Sequence, residues 1–304
     1  MPPLLLSESL EGHAASLLER HLAMSKEWFP HELVPWSEGR DFVPGEPGWA
    51  LDEAETPGVR SALFVNLLTE DNLPHYFHTI ARAFDEGSAM GEWTRRWAAE
   101  EQRHSTVIRD WICVTRNLDL MALERARIRQ VSVGFRPEQR ESSLGDGFVY
   151  LTLQELATRI SHRNTGQLLA SKAGTAIMSR VAADENLHFL FYRDMATAAL
   201  EENPSAVVQA IERQVTKFEM PGAGIEDFAR HAAAIAAVGI YDFRVHYEQI
   251  LIPIVLRHWA LETLEGLDDE AERARERTLR WIARLGRVVE RMETTRLNEI
   301  ATVG

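Results

Sequence analysis

A chain of 304 residues, 45% hydrophobic and 26% charged, is long enough to bury a large core as one big helical domain or two smaller ones. Its net charge of −13 argues against a general nucleic-acid binder, and no apolar run approaches the length that spans a bilayer. A single cysteine, Cys113, excludes an intramolecular disulfide and suits a reducing cytoplasm.

Residues 4–26 read as a first amphipathic helix, in which Glu8, Glu11, Glu19 and Arg20 interrupt the apolar core that a signal peptide needs. A segment rich in Pro, Gly and Trp follows from Trp28 to Gly58; it is long for a structureless connection and is expected to pack over the body. From Val59 to Glu86 the pattern is helical and contains Glu70, and Pro74 predicts a bend just beyond it. Further helices are expected at about 92–117, 121–133, 144–170, 171–200, 205–218, 225–239, 240–265 and 268–299, with no convincing alternating strand. The reading is all-α and one domain over 1–304. An N-terminal helix and covering segment take 1–58, a bundle 59–200, and additional helices 201–304.

Chemistry enters with a repeat. Ala98-Ala99-Glu100-Glu101-Gln102-Arg103-His104 returns as Ala182-Ala183-Asp184-Glu185-Asn186-Leu187-His188, and each copy holds a Glu-x-x-His. Residues three apart share a helix face, so Glu101 with His104, and Glu185 with His188, can each close on one metal ion. A carboxylate with a neutral imidazole suits divalent iron or manganese. Glu70 and Glu155 precede the two motifs by 31 and 30 residues, about one helix hairpin. One Glu from each of two helices and a Glu-x-x-His from each of two others is the ligand set of a di-metal carboxylate four-helix bundle. Four carboxylates also neutralise two divalent ions, which permits burial. One Glu-x-x-His alone would be weak, since about one is expected by chance. His75, His78, His162, His246 and His258 lack partners at ligand spacing and read as core or surface histidines.

Beyond spacing, the flanking residues resemble the soluble acyl-acyl carrier protein desaturases. The resemblance rests on Thr69-Glu70-Asp71-Asn72-Leu73-Pro74-His75-Tyr76, Trp93 to His104, Gly147-Phe148-Val149-Tyr150, Gln154 to Thr158, Ile160-Ser161-His162 with Asn164, and Ala182 to Glu185. Weaker similarity runs from Trp28-Phe29-Pro30 to the closing helix. It implies a ferritin-like helical homodimer with a di-iron centre that takes electrons from a ferredoxin and desaturates an acyl chain on acyl carrier protein. The ligands it implies are the six that spacing selects: Glu70, Glu101, His104, Glu155, Glu185 and His188. It implies that Thr158 stands beside the oxygen-binding side of the irons, that Trp28 and Asp184 form an electron route to His104, and that Gly147 and Phe148 line the acyl channel. Asp184 would also orient an imidazole from its far side. A hydroxylase or a ferroxidase would use the same ligands, so those alternatives stay open.

Acyl carrier proteins are acidic, so an acidic enzyme needs a local basic surface to receive one. Arg273, Arg277, Arg280, Arg284, Arg287 and Arg291 fall on one stripe of the final helix, with Arg280 and Arg284 at its middle. Leu285, Val288, Val289 and Met292 are expected to turn another side of that helix to the body.

Overall fold

The computed structural model describes residues 6–43, 55–133 and 143–303, with side chains to residue 295. Twelve α-helices lie in the described residues: α1 Glu8–Met24, α2 Pro30–Leu33, α3 Pro57–Glu70, α4 Leu73–Ala81, α5 Ala89–Thr115, α6 Leu120–Val133, α7 Leu144–Leu168, α8 Lys172–Glu202, α9 Pro204–Thr216, α10 Phe228–Ala237, α11 Phe243–His246 and α12 Asp269–Val303. No strand occurs among them. The starts follow local chemistry. The side chains of Ser7, Thr56, Ser88 and Asn203 accept from free amides in the first turns of α1, α3, α5 and α9, and Pro57 and Pro204 occupy first-turn positions that need no N–H.

Two compact units divide the chain. The first holds residues 1–141, 154–191 and 219–240, and the second 142–153, 192–218 and 241–304. In the first unit, α1, α3 and α4 pack on α5, and α10 packs on α3. Leu63, Leu67, Trp93, Ile108, Trp111, Ile177 and Val181 fill the core, where the Trp93 and Phe191 rings stack 3.7 Å apart. Close approach is bought with glycine at two points. A Cβ on Gly58 would stand 2.6 Å from the Ala234 carbonyl, and one on Gly174 2.4 Å from the Trp111 ring. In the second unit, α12 packs along α9, and Asp146 anchors the start of α7. Asp146 and Ser143 cap each other reciprocally, and Arg213 and Gln214 bond the same carboxylate.

Three expectations are corrected. The helix carrying Glu70 does not bend at Pro74; it ends at Glu70, and Pro74 sits in the first turn of a new helix. There the missing N–H leaves no broken bond, whereas a continuous helix would need it to donate to Glu70. The expected helix at 240–265 is instead α11 continued by a π-helical run, Tyr247–His258, around Pro253. Val288 and Met292 are 38% and 48% exposed, so only Val289 of that group is buried. The covering segment is partly described. Trp28 and Val34 are buried while Trp36 and Phe42 are exposed, and residues 44–54 lie outside the described residues.

Candidate metal centre

Four helices bring the six carboxylate and imidazole residues, all of them in the first unit, to one point. Glu70 ends α3, Glu101 and His104 lie mid-way along α5, Glu155 on α7, and Glu185 and His188 on α8. None is more than 6% exposed. His104 Nδ1 stands 3.3 Å from Glu101 Oε2, 3.4 Å from Glu185 Oε1 and 3.8 Å from Glu70 Oε2. His188 Nδ1 stands 2.9 Å from Glu101 Oε1, 3.7 Å from Glu155 Oε2 and 3.9 Å from Glu185 Oε2. Glu101 and Glu185 therefore offer one oxygen to each end, and Glu70 and Glu155 each serve one end. Two overlapping groups result, Glu70–Glu101–His104–Glu185 and Glu101–Glu155–Glu185–His188, with donor atoms within 4.8 Å of one another. A cation about 2 Å from each donor fits that spread.

The donor atoms themselves argue for a cation. Nδ1 of His104, Nδ1 of His188 and Oε2 of Glu155 are buried with no hydrogen-bond partner, and all three point inward. Buried polar atoms left unpaired are costly, and coordination is what relieves them here. Charge points the same way. Burial, then the charges of Glu101 and Glu185, push the Glu70 carboxyl well above the usual range, and burial with Glu185 does the same to Glu155. Against burial, the charge of Glu101 and the bond to Asp184 hold His104 well above its ordinary value, and Glu100 and Glu101 do so for His188. Without metal the cluster thus keeps protons that a bound cation would displace.

Each imidazole turns its outer nitrogen to an acid. His104 Nε2 lies 3.5 Å from Asp184 Oδ2, and His188 Nε2 lies 2.9 Å from Glu100 Oε2. Trp28 Nε1 donates to Asp184 at 2.8 Å, and its ring lies parallel to that of His104 with centroids 6.5 Å apart. Against burial, His104, Trp28 and Arg180 hold Asp184 at about 2. Against burial likewise, His188 and His21 hold Glu100 far below the usual range.

The family model described as fatty acid desaturase matches residues 4–303. The chain belongs to this family. It is 37% identical over 303 residues to a putative acyl-[acyl-carrier-protein] desaturase, DesA1, of Mycobacterium tuberculosis, covering 97% of this chain and 89% of the relative. It is 33% identical over 311 residues to the chloroplastic acyl-[acyl-carrier-protein] desaturase 3 of Oryza sativa, covering 94% and 75%. Among solved structures, the X-ray structure of the putative acyl-ACP desaturase DesA2 of Mycobacterium tuberculosis superposes with a TM-score of 0.69 at 22% identity, over 88% of this chain and 97% of that one. The fold is that ferritin-like helical one. No helix among the described residues is long and apolar enough to cross a membrane.

Within this desaturase chain the other expected residues fall as follows. Thr158, one turn after Glu155, places its hydroxyl 3.1 Å from Glu185 Oε2, and the Gln154 and Glu155 carbonyls lie at 3.2 and 3.1 Å. One hydroxyl hydrogen serves one of these at a time. Phe148 is buried two turns before Glu155 on α7, and a Cβ on Gly147 would meet open space. Arg280 and Arg284 are exposed on α12.

Further contacts escaped the sequence. Glu100 is the partner of His188, and its place in the repeat, matching Asp184, was a usable signal. His162 is buried, and its Nε2 lies 3.0 Å from Glu70 Oε1. Burial lowers His162 to about 4, so the ring is neutral, and its Nε2 shares one hydrogen with Glu70 Oε1. Trp97 Nε1 donates to Glu155 Oε1 at 3.1 Å.

Proposed function

We propose that this desaturase removes two hydrogens from adjacent carbons of a saturated acyl chain carried on acyl carrier protein, with dioxygen as oxidant and a ferredoxin-type donor as the source of electrons. The observation that carries the reading is the pair of overlapping, buried donor groups sharing Glu101 and Glu185, in a chain of this family. Two iron ions are the occupants that the donor set suits; Glu70 and His104 would hold one, Glu155 and His188 the other, and Glu101 and Glu185 have an oxygen for each. Such a pair supplies the oxidising power toward an unactivated C–H bond that acid–base side chains lack. The two substrate hydrogens, with two electrons from the donor and two protons from solvent, reduce one dioxygen to two waters.

The chain's own residues frame that chemistry. Glu100, bonded to His188 Nε2, and Asp184, facing His104 Nε2, favour the orientation in which each Nδ1 would offer its lone pair inward. Thr158 positions a hydroxyl against Glu185, where it can hold or pass on a proton beside the centre. Trp28, bonded to Asp184 and parallel to His104, is the path by which electrons reach the centre. Gly147 and Phe148 are assigned to the wall of the acyl channel.

Carrier docking is assigned to the basic stripe of α12. Arg277 is already neutralised by Glu212, with bonds of 2.5 and 2.7 Å, and Arg280 lies 3.5 Å from Glu276. Arg284, Arg287 and Arg291 stand exposed beside the exposed Val288 and Met292. A basic surface with apolar patches suits an acidic helical carrier. The working form is taken to be a cytoplasmic homodimer.

Metal content and oxygen demand test the reading together. The purified protein should bind two irons per chain, and, once reduced, should consume dioxygen only when saturated acyl carrier protein is added. Oxygen consumption with deposition of ferric mineral and no need of an acyl substrate would replace the reading with iron storage.

A further inference from the structure

The two imidazoles are gripped from one short piece of chain. His21 lies in the last turn of α1 and Trp28 seven residues later, and both are buried. His21 Nε2 lies 3.0 Å from Glu100 Oε2, the same oxygen that His188 Nε2 reaches at 2.9 Å. Trp28 Nε1 meets Asp184 Oδ2, the oxygen that faces His104. Two parallel chains result, His21–Glu100–His188 and Trp28–Asp184–His104, each running from the 21–28 segment through an acid to one end of the centre.

Other tethers of that segment land beside the same ligands. Arg96 donates to Glu100 and, at 3.3 Å, to the Ser25 hydroxyl. Arg103 lies within 3.5 Å of the Trp28 carbonyl and 3.3 Å of Asp184, and its guanidinium sits 5.0 Å from the Trp28 ring centroid. The His21 ring also packs edge-on against Trp93, 4.9 Å away, and stacks 6.0 Å from His188. Residues 21–28 therefore touch the metal-binding cluster at both ends, through groups whose own partners are ligand imidazoles.

We propose that His21 is a positioning residue for the metal centre, and that docking of residues 21–28 and loading of the centre are coupled, each stabilising the other. The physical reason is that Glu100 and Asp184 are shared. A cation on His188 fixes the imidazole with its Nε2–H aimed at Glu100, which holds that carboxylate where His21 needs it. The same holds for His104, Asp184 and Trp28. By linkage, whatever the ion adds to docking of the segment, the segment adds to affinity for the ion. The inference rests on the metal-centre reading and goes beyond it, because that reading gives His21 no role and does not link docking of residues 21–28 to metal loading.

Hydrogen exchange with and without Fe(II), added anaerobically, reads the coupling without turnover. Amides of residues 15–34 should exchange about tenfold more slowly in the loaded protein. His21→Leu should weaken one of the two Fe(II) binding steps about tenfold or more, leave the other near wild type, and lose the metal-dependent protection around residue 21. His21→Gln, whose amide nitrogen can still donate to Glu100, should restore both. Exchange over 15–34 that ignores Fe(II) in the wild-type chain overturns the coupling, whatever the variants do. Wild-type affinities in His21→Leu overturn the role of His21. A wild-type chain that takes up no Fe(II) instead refutes the metal-centre reading itself.

Discussion

Replacing His162 by Leu removes the hydrogen-bond partner of Glu70 Oε1 among the described residues. The carboxylate is 6% exposed and the histidine 1%, so water does not readily take the lost place. A hydrogen bond to a charged group contributes about 1.5–3 kcal/mol, which corresponds to roughly 10–100-fold in affinity for a ligand that depends on it. The loss should fall on the end of the centre that Glu70 serves, because Glu155 keeps its own donor, Trp97. The register of α3 against α7 should survive, since Ser161 still bonds Asn66 at 3.2 Å beside the substituted position. Competition between the protein and a chelator for Fe(II) resolves two binding steps. In His162→Leu one should weaken by about 10–100-fold and the other by little, whereas His162→Gln should stay within a few-fold of wild type. Two unchanged steps in the Leu variant would refute the assignment, and equal weakening of both would show a general loss of packing instead.

Other perturbations separate the remaining roles. Thr158→Val should keep both irons and lower the yield of desaturated product per electron consumed, measured by product analysis against reductant oxidised; unchanged coupling would leave Thr158 a helix-bonding residue. Asp146 is held at about 2 by Arg213, Ser143 and Gln214 against burial, below the ordinary 3.8. A depressed carboxyl stabilises the fold above its unfolded value and loses that contribution as pH falls from about 4 to about 2. Asp146→Asn should therefore cost about 2 kcal/mol by denaturant unfolding at neutral pH, allowing for the part-exposed Arg213, and the gap should close in acid. Arg280→Glu with Arg284→Glu should raise KM for the carrier-bound substrate, most at low salt, with iron content unchanged. No change at low ionic strength would move docking away from α12.

Four of the six candidate ligands were legible because their pattern is local, and Glu70 and Glu155 because they precede the two motifs by matching offsets of 31 and 30 residues. Three-residue spacing on a helix sets a shared face whatever the rest of the chain does, and the Ala-Ala-acid-Glu repeat marks it twice. Glu100 was legible by the same repeat, as the counterpart of Asp184, yet only Asp184 was given a role. His21 and His162 were not, since each meets its carboxylate across 79 and 92 residues of chain and no local period records such a contact. Pro74 predicts a bend because its position inside an apolar-periodic run hides how cheaply a helix can end and restart there. The exposed Val288 and Met292 show that an apolar residue on a helix need not mark its packed face.

The most direct test of the account is the mass of the acyl product. A reconstituted system of this protein, saturated acyl carrier protein, dioxygen, ferredoxin and its reductase should yield a chain lighter by two hydrogens, with one double bond, and Glu101→Ala should yield none. A product heavier by one oxygen, or desaturation that survives in Glu101→Ala, would contradict it.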